Sequence, residues 1–359
     1  MVSIQSYRTR VDTLARFDAD ELVVGAVGAL SVVVFAYFFL VNPGYAVFPV
    51  DTFALAAAYG WVRNQGVTAK ALTFLATVST VIILGLIVVF LLQKAAVIFG
   101  RMGLDLFRFS QPFWQTDTNV YVLTPMIWGT AVTTLIATLV AAPLGVAGAI
   151  FIAEMAPPQI RDVIKPAVEM LAGIPSIVYG FIGFNIVNTA MMAYLGLSTL
   201  GSLFAVGLVI GVMALPTVVS VAEDAITAVP DEMKDGALAV GTTEWQSIKS
   251  VVVPASFSGI SAAVILGIGR AMGETMAATV MLGHKAVLPS PLYDVFENTE
   301  TLTTLIASQY GNAIGRSAPN YYMGALFAAG VVLFLTVLCL SVVSRLIEAR
   351  MHRKLGGEQ

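Results

Sequence analysis

The chain has 359 residues, of which 58% are hydrophobic and 11% charged, with a mean hydropathy of +0.86. That excludes an ordinary soluble globule, in which about a quarter of residues carry charge. A formal net charge of −3 gives no footprint for nucleic acid, and a single cysteine, Cys339, leaves no intrachain disulfide or cysteine metal cluster.

The apolar runs have helix length and do not alternate, so the chain is expected to be an all-α polytopic membrane protein and not a barrel. His284 and His352 stand apart from each other and from any metal-ligand pattern. No catalytic residue is predicted.

Residues 1–21 form a polar tail in which Arg8, Arg10 and Arg16 are offset by Asp12, Asp18, Asp20 and Glu21. The first predicted span, Leu22–Val41, is too long for the core of a cleavable signal peptide and stops at the turn signal Asn42-Pro43-Gly44. Residues 45–69 read as a connector, with Phe53–Val62 apolar but too short to cross. A second span is predicted over Ala71–Leu92. The stretch from Gln93 to Thr124 is polar and aromatic, and its Phe107, Phe109, Phe113, Trp114 and Tyr121 suit a membrane interface.

A third span, Met126–Ile152, is expected to break at Pro143 and Gly145. A short link, Glu154–Lys165, leads to a fourth span, Pro166–Val187, which Pro175 should kink or interrupt by removing a backbone hydrogen bond. Residues 188–201 carry no charge. The fifth span, Ser202–Val221, has Gly207 and Gly211 at the spacing of a close helix crossing, and a further kink is expected at Pro216. The charged stretch 222–256, a sixth span, a polar loop over 283–322 and a seventh span, Met323–Val343, complete the chain. Lys and Arg counts place the 154–165 link, the 222–256 stretch and the C-terminal tail in the cytoplasm; Lys94, Arg101 and Arg108 run against that alternation.

The sixth span, Phe257–Leu282, is the stretch with chemistry in it. A continuous helix of this length crosses a bilayer, and Arg270 and Glu274 fall near its middle. A charge at that depth costs at least about 2.5–3.5 kcal/mol. Four residues apart, the two heads are expected on one helical face, each screening the other. Gly267, Gly269 and Gly273 would let a second helix approach. Two readings stay open: a mutually neutralising pair facing protein, or an arginine facing a water-accessible anion pathway. Arginine stays charged and offers a fork of donors to oxyanions.

On the cytoplasmic side, 228–254 reads as two short helices bent at Gly241. Pro230, Asp231 and Glu232 suit the first helix start, and Thr243 with Gln246 forms a capping box for the second. Trp245, Ile248 and Val252 are expected on one side and Pro254 at the end. Such a peg suits docking to another protein; the alternative, a helix lying on lipid, is opposed by its few basic residues.

This stretch resembles the coupling loop of ABC-importer permeases: Glu-Ala-Ala, three residues, Gly, nine residues, then Ile-x-Leu-Pro. Here Asp235-Gly236-Ala237, Gly241 and Val251-x-Val253-Pro254 keep the spacing with four changes of residue. Pro143-Leu-Gly, Ala149-Ile-Phe-Ile-Ala-Glu154, Leu171-Ala-Gly-Ile-Pro-Ser-Ile-Val-Tyr-Gly180 and Gly269-Arg-Ala-Met-Gly-Glu-Thr-Met276 are similar, over about residues 75–350, to the C-type permease of the phosphate-specific (Pst) importers. The resemblance implies a type I (MetI-like) permease core of six membrane helices plus one extra N-terminal helix. The parts would be 1–69 (tail, extra helix, connector), 70–125 (first core helix and external loop), 126–350 (permease core) and a 351–359 tail.

It also implies a multi-pass plasma-membrane subunit that pairs with a PstA-type permease, a PstB-type ATPase dimer and an external phosphate-binding protein, in contact with membrane lipid. Its substrate pathway would include Arg270, Glu274, Thr275 and Ser176. ATP and Mg would sit on the partner ATPase, because this chain has no G-x-x-x-x-G-K-[ST] phosphate loop and binds no cofactor or metal itself.

Overall fold

The computed structural model describes residues 19–45, 47–197, 201–316 and 319–355. Most of the polar tail 1–21, residues 198–200 of the uncharged loop and residues 356–359 lie outside them. The chain divides into two compact units, Met1–Val89 and Phe90–Gln359.

In the first unit, α1 (Ala19–Val41) turns through a 3-10 helix at Pro43–Tyr45 into α2 (Val47–Arg63). The turn is the predicted Asn-Pro-Gly, and the connector is more helical than the sequence alone predicts. α3 (Gln65–Met102) begins here and is 38 residues long, well beyond the predicted Ala71–Leu92.

In the second unit, α3 ends and a 3-10 turn (Gly103–Phe107) leads to a small antiparallel hairpin, β1 (Trp114–Gln115) with β2 (Val120–Tyr121). The aromatic residues of this stretch do not all face a membrane interface. Phe113 and Tyr121 are buried, and Tyr121 stacks on Tyr322 with centroids 5.5 Å apart. The hairpin folds its rings inward, where they bury area that water would otherwise wet.

Then come α4 (Thr124–Ile150), a π-helical turn (Phe151–Met155), α5 (Pro158–Ala172), α6 (Ser176–Ile182), a second π turn (Gly183–Asn188) and α7 (Thr189–Leu195). α8 (Leu203–Thr227) is followed by α9 (Asp231–Ala239), α10 (Glu244–Ser247), a third π turn (Ile248–Val252) and the single turn α11 (Val253–Ala255). α12 (Phe257–Met272), α13 (Met276–Met281), α14 (Leu302–Ala313) and α15 (Tyr321–Leu355) complete the chain. Five described helical stretches are long and apolar enough to cross a membrane, and the pair bent by 71° between α11 and α12 offers a sixth.

Three sequence expectations change. α4 runs through Pro143 without a break, and α8 likewise runs on through Pro216. The fourth span begins earlier than Pro166, and it is interrupted at Pro175 as expected: α5 stops at Ala172 and α6 starts at Ser176 with Pro175 as its N-cap. Arg161 and Lys165 of α5 meet Glu223 near the end of α8, whereas a Cβ on Gly183 would lie 3.0 Å from Val209 near its start. The segment 161–183 therefore runs antiparallel along α8, and its break falls about midway. The sixth span is also divided, at Gly273–Thr275 between α12 and α13.

α8 is the centre of this unit. A Cβ at Gly207 would come 2.7 Å from Ile136 and one at Gly211 2.8 Å from Val140, so α4 and α8 cross in parallel at near backbone contact. Val218 fills the gaps left by Gly145 on α4 and Gly267 on α12. Van der Waals packing of this kind holds helices together where lipid is as apolar as the side chains.

Gly207→Val should lower the thermal stability of the purified protein, because overpacking a filled site costs about 1–3 kcal/mol. Gly236→Ala, in α9 with open space around it, should be neutral or stabilising by about 0.5–1 kcal/mol. Thermal unfolding in detergent checks both.

Outside the spans, Glu300 is 1% exposed. Burial pushes its carboxyl up, against a hydrogen bond from Ser308 (2.9 Å) and the charge and hydrogen bond of His284 (3.2 Å). A carboxyl raised on folding contributes stability that is full at low pH and lost as pH rises through the folded value. Glu300→Gln should therefore flatten the fall in melting temperature as pH rises above the ordinary carboxylate range, read from thermal scans.

Candidate substrate pathway and coupling surface

The two divided spans meet. A Cβ on Gly180 of α6 would lie 2.9 Å from the Ala277 Cα of α13, and Gly183 faces Met281 in the same way. The helices are thus parallel, and one turn back that register sets Ser176 level with Gly273. Both breaks therefore lie at one depth.

Arg270 occupies the last turn of α12 at this level and is half-buried. Its Nη1 donates to the Thr217 hydroxyl of α8 at 3.0 Å. Among the described residues this is the one hydrogen bond its guanidinium makes, out of five available donors.

Glu274 does not share a helical face with Arg270, and no ion pair joins the two among the described residues. The helix ends between them. Two side chains divert the backbone groups that would continue it. The Thr303 hydroxyl donates to the Glu274 carbonyl at 2.8 Å, and the Glu274 carboxylate accepts the Ala277 N–H at 3.0 Å. The predicted mutual screening is therefore replaced by two separate attachments, Arg270 to α8 and Glu274 to the start of α13. Thr275 stands at the N-cap of α13, its hydroxyl donating to the Gly273 carbonyl at 3.2 Å.

Sequence reasoning missed Thr217 and Thr303. Thr217 follows Pro216, a position the sequence does mark, but its value as a partner depends on α12 lying beside it. Thr303 begins α14, where it sits behind a capping box of Thr301 and Thr304.

Six residues beyond Thr217 on α8, Glu223 is 1% exposed yet sits between Arg161 (2.7 Å) and Lys165 (2.6 Å). A buried carboxylate persists only when so paired. This fastens α5 to α8.

Beyond it lies the stretch 228–254. α9 and α10 are its two short helices, and Gly241 between them takes φ +86°, a left-handed conformation that favours glycine. Thr243 and Gln246 form the capping box in both directions. Asp235 and Gly236 are exposed, Ala237 half-buried with its carbonyl accepting from the Thr242 hydroxyl at 2.8 Å. Val251, Val253 and Pro254 lie half-buried where the chain re-enters the core, and helix continues past Pro254 to Ala255.

Trp245, Ile248 and Val252 do not form one face. Ile248 and Val252 are buried, while Trp245 projects with Val240, Met233 and Leu238 exposed nearby in sequence. α10 is four residues long and passes directly into a π turn, so no stripe of period 3.6 is sustained. Among the described residues no group of three His, Cys, Asp or Glu is placed to hold a metal ion.

Residues 141–353 match the family model described as "Binding-protein-dependent transport system inner membrane component". The chain is 38% identical over 237 residues to the probable ABC transporter permease protein YqgH of Bacillus subtilis, covering 66% of this chain and 74% of that protein. It is 34% identical over 281 residues to the phosphate transport system permease protein PstC of Xylella fastidiosa, covering 72% and 84%. In structure it resembles a chain of a bacterial alginate ABC transporter crystallised with its periplasmic protein: TM-score 0.54 at 14% identity, covering 82% and 97%.

Thr217→Val tests whether the guanidinium is wet. In dry packing, losing the acceptor should cost about 1–3 kcal/mol. The expected cost is under about 1 kcal/mol, because the other donors of Arg270 lack described protein partners and water would take over the vacated one. Thermal unfolding of the purified variant decides.

Proposed function

The chain belongs to the family of binding-protein-dependent transport system inner membrane components, and we propose that it is the permease subunit through which an ATP-driven importer passes inorganic phosphate. It is a multi-pass protein of the cell membrane and a transport subunit, not a catalyst. The proposed assembly pairs it with a PstA-type permease, two PstB-type ATPase subunits and an external phosphate-binding protein.

The observation that supports the reading is Arg270, in the last turn of α12 with one described donor engaged and level with two helix breaks. Likeness to the phosphate permeases supplies the choice of anion. In the proposed pathway, Arg270 donates charge-assisted hydrogen bonds to phosphate oxygens. Glu274 accepts from a protonated phosphate oxygen, a donor that fully ionised sulfate lacks. It leaves its hold on the Ala277 N–H to do so. Ser176 and Thr275 stand at the same depth as further polar contacts.

Energy enters through the 228–254 stretch. Asp235, Gly236, Ala237, Gly241, Val251, Val253 and Pro254 form the proposed coupling loop, with Trp245 and Val240 as apolar contacts for the ATPase. Closure of the ATPase pair would push this loop and tilt α8 and α12, which flank it.

The test is reconstitution of the co-purified transporter in liposomes, reading ATPase stimulation by the phosphate-binding protein and uptake of phosphate against sulfate and arsenate. Arg270→Lys should cut uptake about tenfold or more, since a point charge does not replace the planar fork. Glu274→Gln should weaken discrimination between phosphate and sulfate. Gly241→Pro, which cannot adopt φ +86°, should leave insertion intact and separate hydrolysis from uptake. Unchanged transport and selectivity in the first two variants would sink the pathway; normal uptake in the third would count against the loop.

A further inference from the structure

The motif ending at Glu154 has no part in the pathway, and its place in the fold suggests one in the coupling. Glu154 lies in the π turn that closes the α4 span, where the Ala156 N–H donates to the Phe151 carbonyl at 2.7 Å. Its carboxylate meets the Lys234 ammonium of α9 at 2.8 Å, with side-chain exposures of 11% and 21%. Asp231, one turn earlier on α9, is 3.5 Å from the same ammonium but 89% exposed, so it shares the charge from the solvent side. Burial works against the charged lysine; the Glu154 and Asp231 carboxylates outweigh it and hold the ammonium above its ordinary value.

Lys234 is the one lysine or arginine of α9, and its partner belongs to a span that does not flank the loop in sequence. The π turn beneath Glu154 and the third π turn, Ile248–Val252, against which α9 also packs, each carry one residue more per turn than an α-helix. Such turns occur frequently at functional sites.

We infer that the Lys234–Glu154 ion pair is a strut that transmits movement of α9 to the α4 span, making that span a third moving part beside α8 and α12. Because α4 and α8 touch at Gly207, Gly211 and Gly145, a pull on Glu154 shifts the wall packed around Val218, next to Thr217, the residue that holds Arg270. Lys234 and Glu154 are positioning residues in this scheme and touch no substrate.

The inference rests on the reading of 228–254 as the ATPase contact, so the experiment reads assembly and coupling separately. The intact transporter is purified with wild-type chain, Lys234→Glu, Glu154→Lys, the double exchange and Lys234→Arg, then reconstituted in liposomes with phosphate-loaded binding protein. Co-purified ATPase, ATP hydrolysis and phosphate taken up per ATP hydrolysed are measured.

Each single reversal should keep the ATPase bound and hydrolysing but lower uptake per ATP about tenfold, within the range by which residues on a coupling route act. The double exchange, which restores opposite charges, should recover most of it, and Lys234→Arg should stay near wild type. Uptake per ATP unchanged in the single reversals would overturn the strut while leaving the loop intact. Failure of the double exchange to recover coupling in an assembled transporter would also overturn it. Should a single reversal fail to assemble, recovery of both assembly and coupling by the double exchange supports the strut, and recovery of assembly alone overturns it. A wild-type chain that binds no ATPase would overturn the loop reading and the strut together.

Discussion

A guanidinium inside a bilayer sets the terms for the rest of this fold. The charge cannot be shed, because arginine does not deprotonate in proteins, and hydrocarbon gives it no hydrogen bonds. The chain answers with one hydroxyl, Thr217, and with two spans that stop being helical at the same depth. Broken backbone is tolerated in a membrane only where protein or water satisfies it. At 273–275 the Thr303 hydroxyl and the Glu274 carboxylate do part of that work. The polar groups that interrupt the backbone between α12 and α13 thus lie within a few residues of the charge in sequence.

Around this polar centre the scaffold is held by contacts of the opposite kind. Gly207 and Gly211 bring α4 to the backbone of α8, and Val218 seats in the gaps left by Gly145 and Gly267. No apolar driving force separates protein from lipid here, so the closeness of backbones is what binds the helices. Such packing has few alternative arrangements, because a filled gap resists even one added methyl group. The breaks and the π turns are the places where the regular α-helical hydrogen-bond pattern is interrupted.

What was legible in the sequence were features whose causes lie within a few residues. The Thr243–Gln246 capping box, the left-handed glycine at 241, the stop at Pro175 and the small-residue crossing on α8 each follow from a local pattern. The features that escaped depend on distant chain. The sequence Gly-Glu-Thr at 273–275 reads as continuing helix until Thr303, on another element, takes the Glu274 carbonyl. For that reason spacing alone set Arg270 and Glu274 on one face, and tertiary contact separated them. Burial of Tyr121 likewise involves Tyr322 from the far end of the unit. Pro143 and Pro216 show the reverse case: a local breaker that does not end the helix, since α4 and α8 stay helical on both sides of it.

The distribution of charge pairs divides the second unit into two mechanical regions. Toward the 228–254 stretch, Glu223 ties α5 to α8 through two cations, and Lys234 ties α9 to the end of α4. At the depth of Arg270 no ion pair joins the spans among the described residues; one hydroxyl contact and glycine packing suffice. Ionic links are strong where water is scarce but cost desolvation, so they suit places that must transmit force without repacking. Weak, single hydrogen bonds suit the place where a partner must be exchanged. In the proposed pathway an anion at Arg270 would replace the equivalent of one hydrogen bond, about 1.5–3 kcal/mol for a charged donor, whereas a push on α9 would meet ion pairs at nearly buried carboxylates. Firm at Glu223 and loose at Thr217, α8 carries the order of strengths that the proposed coupling needs.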